Sequence, residues 1–429
     1  MPEDHVRGMR DIKQGFSSLT IENWRQFQSV RIAFHPQLTV LTGANGSGKT
    51  TILTILGRHF NWNRAFSSEP MSEGEIRRWR TISRIKEEAF AGGSVDIGAL
   101  TYGTNTSTPI RVPQNDSTET RIDYNVELPT QQPVDGAYLT SHRIVSGNYV
   151  PVGEIPTSFA NAEALFEEYT NEVRTKWQNS NTGRSPQLAF KRALIAAAIF
   201  GNAGNEYVEP NPLAQDIWKG YLQILQDVMP ESIGFSSIRV RMPDVILETA
   251  TGNFVIDEAS GGISAILEIA WQIFLRSRTK QRFTVLIDEP ENHLHPSLQR
   301  EIMPSLLRAF PDVQFIVATH SPFVVTSTAD SAVYALSFNA NRLVEARELD
   351  YANKAASADE TLRNVLGVPS TMPTWAVQVF DEIVERHTRQ PLSEESVKGL
   401  RDELKRNGLA TEFPEALLQV TKDVESGNN

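Results

Sequence analysis

The chain has 429 residues, of which 40% are hydrophobic and 22% charged, with a formal net charge of −11 and no cysteine. That length gives room for two or three domains of about 100–200 residues each, and the acidic balance argues against a protein that coats nucleic acid over its whole surface. The missing thiols exclude disulfides, thiolate zinc sites and a cysteine nucleophile. No apolar run approaches the ~18 residues of a membrane span, the longest lying at 193–200. Residues 1–14 are charged and lack an apolar stretch, so no signal peptide, a cytoplasmic location and no membrane partner are expected.

Residues 19–24 and 29–34 alternate apolar and polar side chains and read as strands, the second closed by His35 and Pro36. The β-branched run 38–42 reads as a buried strand. It feeds residues 43–51, Gly-Ala-Asn-Gly-Ser-Gly-Lys-Thr-Thr, a full match to G-x-x-x-x-G-K-[ST], and residues 50–59 read as a helix. Strand, glycine-rich turn and helix start make a phosphate cradle, because the backbone N–H groups of the turn and of the helix N-terminus point at one anion. Asn45, Gly46, Ser47, Gly48, Lys49, Thr50 and Thr51 are the expected nucleotide ligands. Lys49 would reach the β- and γ-phosphates of ATP, and the Thr50 hydroxyl would hold Mg²⁺. Arg77, Arg78, Arg80, Arg84 and Lys86 crowd around Trp79. Beside Glu73, Glu75, Glu87 and Glu88 they read as a solvated face, with a nucleic-acid contact as the sharper alternative. Residues 93–139 read as further strands joined by loops, with 120–128 an alternating run and 104–117 a mobile tip.

Between 157 and 230 the apolar period turns helical, at Ala162, Leu165, Phe166 and Tyr169, then over 188–200, then at Ile217, Leu222 and Leu225. This is a helical insertion or arm without the heptads of a long coiled coil. Strands return at 237–242, 245–248 and 253–256. Ser260, Gly261 and Gly262 then open a helix with Ile266, Leu267, Ile269, Ala270 and Ile273 on its apolar side. A serine and two glycines there make a second anion site, against the plainer reading of an N-cap. Residues 283–290 are an apolar run closing with Asp288, Glu289 and Pro290, which puts two acids at the carboxyl end of a buried strand, where ligands sit in open α/β sheets. Asp288 is the second expected Mg²⁺ ligand, and Glu289 the base that takes a proton from the attacking water. Residues 312–320 form another buried strand ending in His320, whose neutral imidazole can contact the γ-phosphate and position the water. Two short strands at 332–337 and 342–347 precede three or four amphipathic helices to about residue 424, with 425–429 fraying.

The order of phosphate loop, Ser-Gly-Gly helix start, Asp-Glu-Pro strand and His after the next strand resembles the ATP-binding-cassette (ABC) ATPases, specifically their SMC/RecF/OLD branch. Residues 288–296, Asp-Glu-Pro-Glu-Asn-His-Leu-His-Pro, and 318–322, Ala-Thr-His-Ser-Pro, are similar to OLD-type ATPases and to the ATPase subunits of Septu-type, retron-associated and PARIS-type bacterial antiphage systems. The resemblance covers residues 19–60 and 235–337. It implies an α/β ABC-ATPase head with an N-terminal β lobe and P-loop core over 1–156, a helical arm insertion over 157–234, the signature helix, Asp-Glu and His half of the core over 235–350, and C-terminal helices over 351–429. It also implies a head-to-tail dimer or higher oligomer. Each nucleotide would lie between one phosphate loop and the partner copy's Ser260, Gly261 and Gly262, with 292–295 crossing the interface.

Four positions bear on the resemblance. Ala259 stands where the family signature has Leu. The glutamine that usually helps hold Mg²⁺ and water has only Gln131 and Gln132 as candidates, and Arg143, ending Tyr-Leu-Thr-Ser-His-Arg at 138–143, resembles the Arg-bearing strand end of OLD-like ATPases. The last hundred residues lack the isolated Glu and Asp-x-Asp pair of a Toprim nuclease. The implied function is therefore an ATPase whose ATP-dependent dimerisation controls a separately encoded effector, a nuclease, in antiphage defence. The alternative is a RecF- or SMC-like repair ATPase binding DNA ends or gaps, in which case nucleic acid is a partner. A transporter subunit fits poorly with the size of the insertion and with Glu291 and the Leu-His-Pro at 294–296.

Overall fold

The computed structural model describes residues 14–73, 76–82, 93–117, 120–143, 149–154, 157–178, 185–202, 209–368, 370–389 and 391–426. Of the sequence readings, the segment 1–13 and Glu75, Arg84, Lys86, Glu87 and Glu88 lie outside them. The first strands are β1 (Phe16–Trp24), β2 (Phe27–Ala33) and β3 (Leu38–Gly43), followed by helix α1 (Lys49–Gly57). A β-rich stretch comes next: β4 (Phe66–Ser67), β5 (Glu69–Glu73), β6 (Ile76–Arg80), β7 (Ser94–Tyr102), β8 (Ser107–Pro113), β9 (Asp116–Ser117), β10 (Asp123–Tyr124) and β11 (Gly136–Leu139). Helices α2 (Ala162–Trp177), α3 (Pro186–Phe200) and α4 (Pro212–Val228) lead to the small sheet β12 (Phe235–Arg241), β13 (Asp244–Thr249) and β14 (Gly252–Val255). Then come α5 (Gly261–Ser277), β15 (Phe283–Asp288), α6 (Pro296–Ala309), β16 (Val313–Thr319), α7 (Pro322–Val325), β17 (Ala332–Phe338) and β18 (Val344–Glu348). The chain closes with α8 (Tyr351–Lys354), α9 (Ala358–Asn364), α10 (Thr374–Thr388), α11 (Glu394–Arg406) and α12 (Phe413–Ser426).

This is the expected α/β class, built on a ten-stranded sheet in the order β11-β15-β16-β3-β17-β18-β2-β1-β7-β8. From β11 to β17 the strands are parallel. Every residue of β3, β15 and β16 is buried, which explains why their sequences are apolar runs rather than alternations: both faces of a parallel sheet are covered. From β2 to β8 the strands pair antiparallel and alternate buried with more open positions, as one-sided sheets do. The helices between 162 and 228 lie along α5. Phe190 meets Trp271 at 5.2 Å and Tyr221 meets it at 4.9 Å between ring centroids, and the Tyr221 hydroxyl donates to Leu267 O at 2.9 Å.

Two readings need correction. Residues 104–117 are no mobile tip: β8 pairs with β7, and Thr108, Ile110 and Val112 point into the core with no exposure. The run 120–128 supplies only the two-residue β10 and a bridge from Glu127 to Arg111. At the C-terminus α12 ends at Ser426, and 427–429 of the expected frayed tail lie outside the described residues. The chain divides into two compact units, 1–361 and 362–429. In the second, Ala376, Phe380, Ile383, Leu400, Leu404, Ala416 and Val420 from three helices form a core of their own.

Candidate functional site

The carboxyl ends of three adjacent parallel strands, β15, β16 and β3, bring the sequence-predicted groups together. Between β3 and α1 the backbone turns through Gly43 (φ 140°), Gly46 (φ 79°) and Gly48 (φ 96°), all in the left-handed region that favours glycine. Gly48 occupies the N-cap of α1 and offers no side chain to its first amides. By contrast, Asn161, Ser185, Asn211 and Ser321 cap their own helices with side-chain oxygens. The free N–H groups at the start of α1 are thus left for an external anion.

Lys49, the first residue of α1, is 5% exposed, and its ammonium donates to Gly43 O at 2.8 Å and Ala44 O at 3.2 Å. Burial pulls its pKa down to about 8, a cost that a phosphate placed in the cradle would relieve. The Thr50 hydroxyl donates to both Asp288 oxygens at 3.0 and 3.2 Å. Asp288 is 3% exposed, and burial raises its carboxyl to about 6, against the opposing Thr50 hydrogen bond. A hydroxyl and a buried carboxylate converging at this distance fit Mg²⁺, which takes one or two protein ligands and completes its shell with water and phosphate oxygens.

Glu289 follows in a left-handed conformation (φ 51°) and is fixed by Glu289 N–H to Ala318 O at 2.8 Å. Its carboxylate accepts from Asn292 Nδ2 at 2.9 Å and lies 3.4 Å from His320 Nε2. His320 Nδ1 sits 3.4 Å from the Lys49 ammonium. Since an ammonium can only donate, Nδ1 is the acceptor and Nε2 carries the proton toward Glu289. Burial, and then the Lys49 charge, hold the imidazole below its ordinary range, so it is neutral at pH 7.

Two families described as AAA domains match the chain: "AAA domain" over residues 18–62, and "AAA domain, putative AbiEii toxin, Type IV TA system" over 236–326. The "Retron Ec83 probable ATPase" of Escherichia coli is 35% identical, over 73% of this chain and 70% of that protein. The chain belongs to the ATPase family of that retron protein. "Septu protein PtuA" of Bacillus thuringiensis is 23% identical over 85% of this chain and 87% of its own length. Among solved structures the SMC head domain from Thermotoga maritima aligns with 78% of this chain and 99% of its own at 13% identity, with a TM-score of 0.37.

In this member of the retron ATPase family Ser260 is the N-cap of α5. The exposed Ser260 accepts weakly from Ile263 N–H at 3.4 Å. At Gly262 an added Cβ would lie 3.0 Å from His293 O and 3.6 Å from Leu294 Cδ2. The glycine thus lets α5 pack against the segment that follows Glu289, so residues 260–262 and 292–295 neighbour each other. Gln131 and Gln132 fall at the wrong end of the sheet. They precede β11, which runs parallel to β15 with Gly136 beside Thr284, while Asp288 ends β15 on the opposite side.

What stands near Asp288 instead is the segment after β11. Arg143, 8% exposed, donates to Thr140 O and, at 3.2 Å, to the Asp288 carbonyl. Asn292 Nδ2 also donates to Ser141 O at 3.0 Å. Sequence reading gave Glu291 no role in the site. One of its oxygens accepts from the Thr319 hydroxyl (2.7 Å), His320 N–H (2.7 Å) and Ser321 N–H (3.1 Å). A second acid two residues after Glu289, with no cation beside it in the chain, was the available sign.

Proposed function

We propose that this ATPase hydrolyses Mg²⁺-bound ATP at a site shared between two copies, and that nucleotide-driven closure of the pair controls a separately encoded effector, a nuclease, in bacterial antiphage defence. The observation that carries the reading is the convergence of Lys49, Thr50, Asp288, Glu289 and His320 at adjoining strand ends. Lys49 would exchange the carbonyls of Gly43 and Ala44 for phosphate oxygens. Thr50 and Asp288 would hold Mg²⁺, which when bound neutralises charge on the phosphoryl oxygens. Glu289, held by Asn292, takes the proton of the attacking water, and the neutral His320 N–H keeps that carboxylate in place. The exposed Ser260 and the adjacent 292–295 segment suit a partner's γ-phosphate. The names of the Septu and retron relatives support the defence setting.

Lys49→Ala should lose nucleotide binding. Glu289→Gln should bind ATP, turn over at least a hundredfold more slowly, and accumulate as an ATP-bound dimer, as equilibrium binding, phosphate release and light scattering would register. Glu289→Gln hydrolysing at the wild-type rate would remove Glu289 as the base. An ATP-locked Glu289→Gln protein that binds co-encoded proteins no differently from the nucleotide-free form would remove the effector-control reading.

A further inference from the structure

We propose that the buried ion pair of Lys191 and Asp257 positions the Ser260 helix start, making α3 a lever on the site this chain presents to a second copy. The inference rests on the shared-site reading above. The side chains of Lys191, in the middle of α3, and of Asp257 are 0% and 1% exposed, and Lys191 Nζ lies 2.5 Å from Asp257 Oδ2. Lys191 also donates to Val150 O at 2.7 Å, and Asp244 Oδ1 stands 3.8 Å away. The other oxygen of Asp257 accepts from Gln187 Nε2 at 2.7 Å, one turn earlier on α3, and from Val150 N–H at 3.3 Å. Asp257 sits in the single 3₁₀ turn Ile256–Glu258, and Ser260 begins α5 three residues on.

Two charges taken fully out of water gain little stability over an apolar pair of similar volume, and a well-packed apolar replacement is often as stable or more so. What such a pair does supply is a fixed position. Both carboxylate oxygens are satisfied only with the turn in one place against α3, and the short, buried Ala259 link transmits that place to Ser260. A cavity of about 40 Å³ adjoins the same contact, its lining including Gln187 and Phe190 of α3, Ile256 beside Asp257, and Ser264, Leu267 and Glu268 of α5. Gln187 thus both bonds Asp257 and borders free volume beside α5, so a shift of α3 has room to move the start of α5.

The test uses Lys191→Met/Asp257→Asn, which removes both members of the buried pair together and leaves only the partly exposed Asp244 carboxylate without its cation. The expected result is a turnover number at least tenfold lower, with half-saturating ATP and nucleotide binding within twofold of wild type. In a head-to-tail pair the defect lies on the face lent to the partner. Mixing the double variant with Lys49→Ala should therefore restore activity, since one site then combines an intact phosphate loop with an intact Ser260 face. Ser260→Arg mixed with Lys49→Ala is the control. If that control recovers and the double variant does not, or if the double variant turns over at the wild-type rate, the lever is wrong and the shared site stands. If neither mixture recovers, the shared-site reading fails and this inference falls with it.

Discussion

Glu291 and His59 show how a single side chain can be read only once its neighbours are known. Glu291 clamps the backbone carrying His320 to the segment carrying Glu289, a role set by a strand 28 residues further on, of which its own stretch of chain shows only an acid without a cation. Asp288, Glu289 and His320 were legible because each ends an apolar run, whereas Gln131 and Gln132 were misplaced because spacing does not say at which end of a strand a residue falls. His59 follows α1, with Nδ1 3.0 Å from Leu56 O and Nε2 3.0 Å from the Tyr102 hydroxyl. A carbonyl cannot donate, so Nδ1 carries the proton and Nε2 accepts from Tyr102. Burial pulls this imidazole down to about 4 from an ordinary 6.5. The unfolded chain therefore binds more protons between these values, so the contribution to stability is present above pH 6.5 and is lost as pH falls toward 4. His59→Gln should remove about 2 kcal/mol of the stability difference between pH 7 and pH 5, measured as the change in urea unfolding free energy against wild type.

At the scale of the elements, the parallel strands and the antiparallel ones differ in how plainly the sequence declares them. β3, β15 and β16 are continuous apolar runs because both faces are covered, and their positions could be read to within a residue or two. β8 carries Pro109 and Pro113 after Ser107 and Thr108, a composition that resembles a loop. It is nevertheless a strand, because it ends the sheet order, where a missing N–H costs least. The small sheet of β12, β13 and β14 was found from its alternation and the turn at Thr251 and Gly252. Gly43 shows how closely the phosphate-loop strand meets β17: a Cβ there would lie 2.2 Å from Leu336 O, at a φ of 140°. Gly43→Ala should cost about 1–3 kcal/mol, seen as a lower urea midpoint with an unchanged slope. A midpoint equal to wild type would mean that β3 and β17 part without loss.

Across the whole molecule, the boundary near residue 361 separates two cores of different size. Residues 362–429 bury their own apolar cluster, from Ala376 to Val420, yet a unit this small is marginal by surface-to-volume scaling. Expressed alone, it should be helical with a shallow, low-temperature melt, and residues 1–361 should still bind ATP through Lys49. Circular dichroism of the fragment and nucleotide titration of the truncated chain would check this, and loss of binding in 1–361 would mean the division does not hold energetically. The place of β3 in the sheet bears on how the protein is born. Its neighbours on both sides, β16 and β17, lie far down the chain, with Thr42 reaching Thr319 across 277 positions. Pairings so distant in sequence form slowly and only after their residues exist. A ribosome that has released the phosphate loop has therefore made no phosphate-loop site. The strand waits, apolar and unpaired, through most of synthesis, which makes partial chains prone to aggregate and leaves products that end before β16 and β17 without a site.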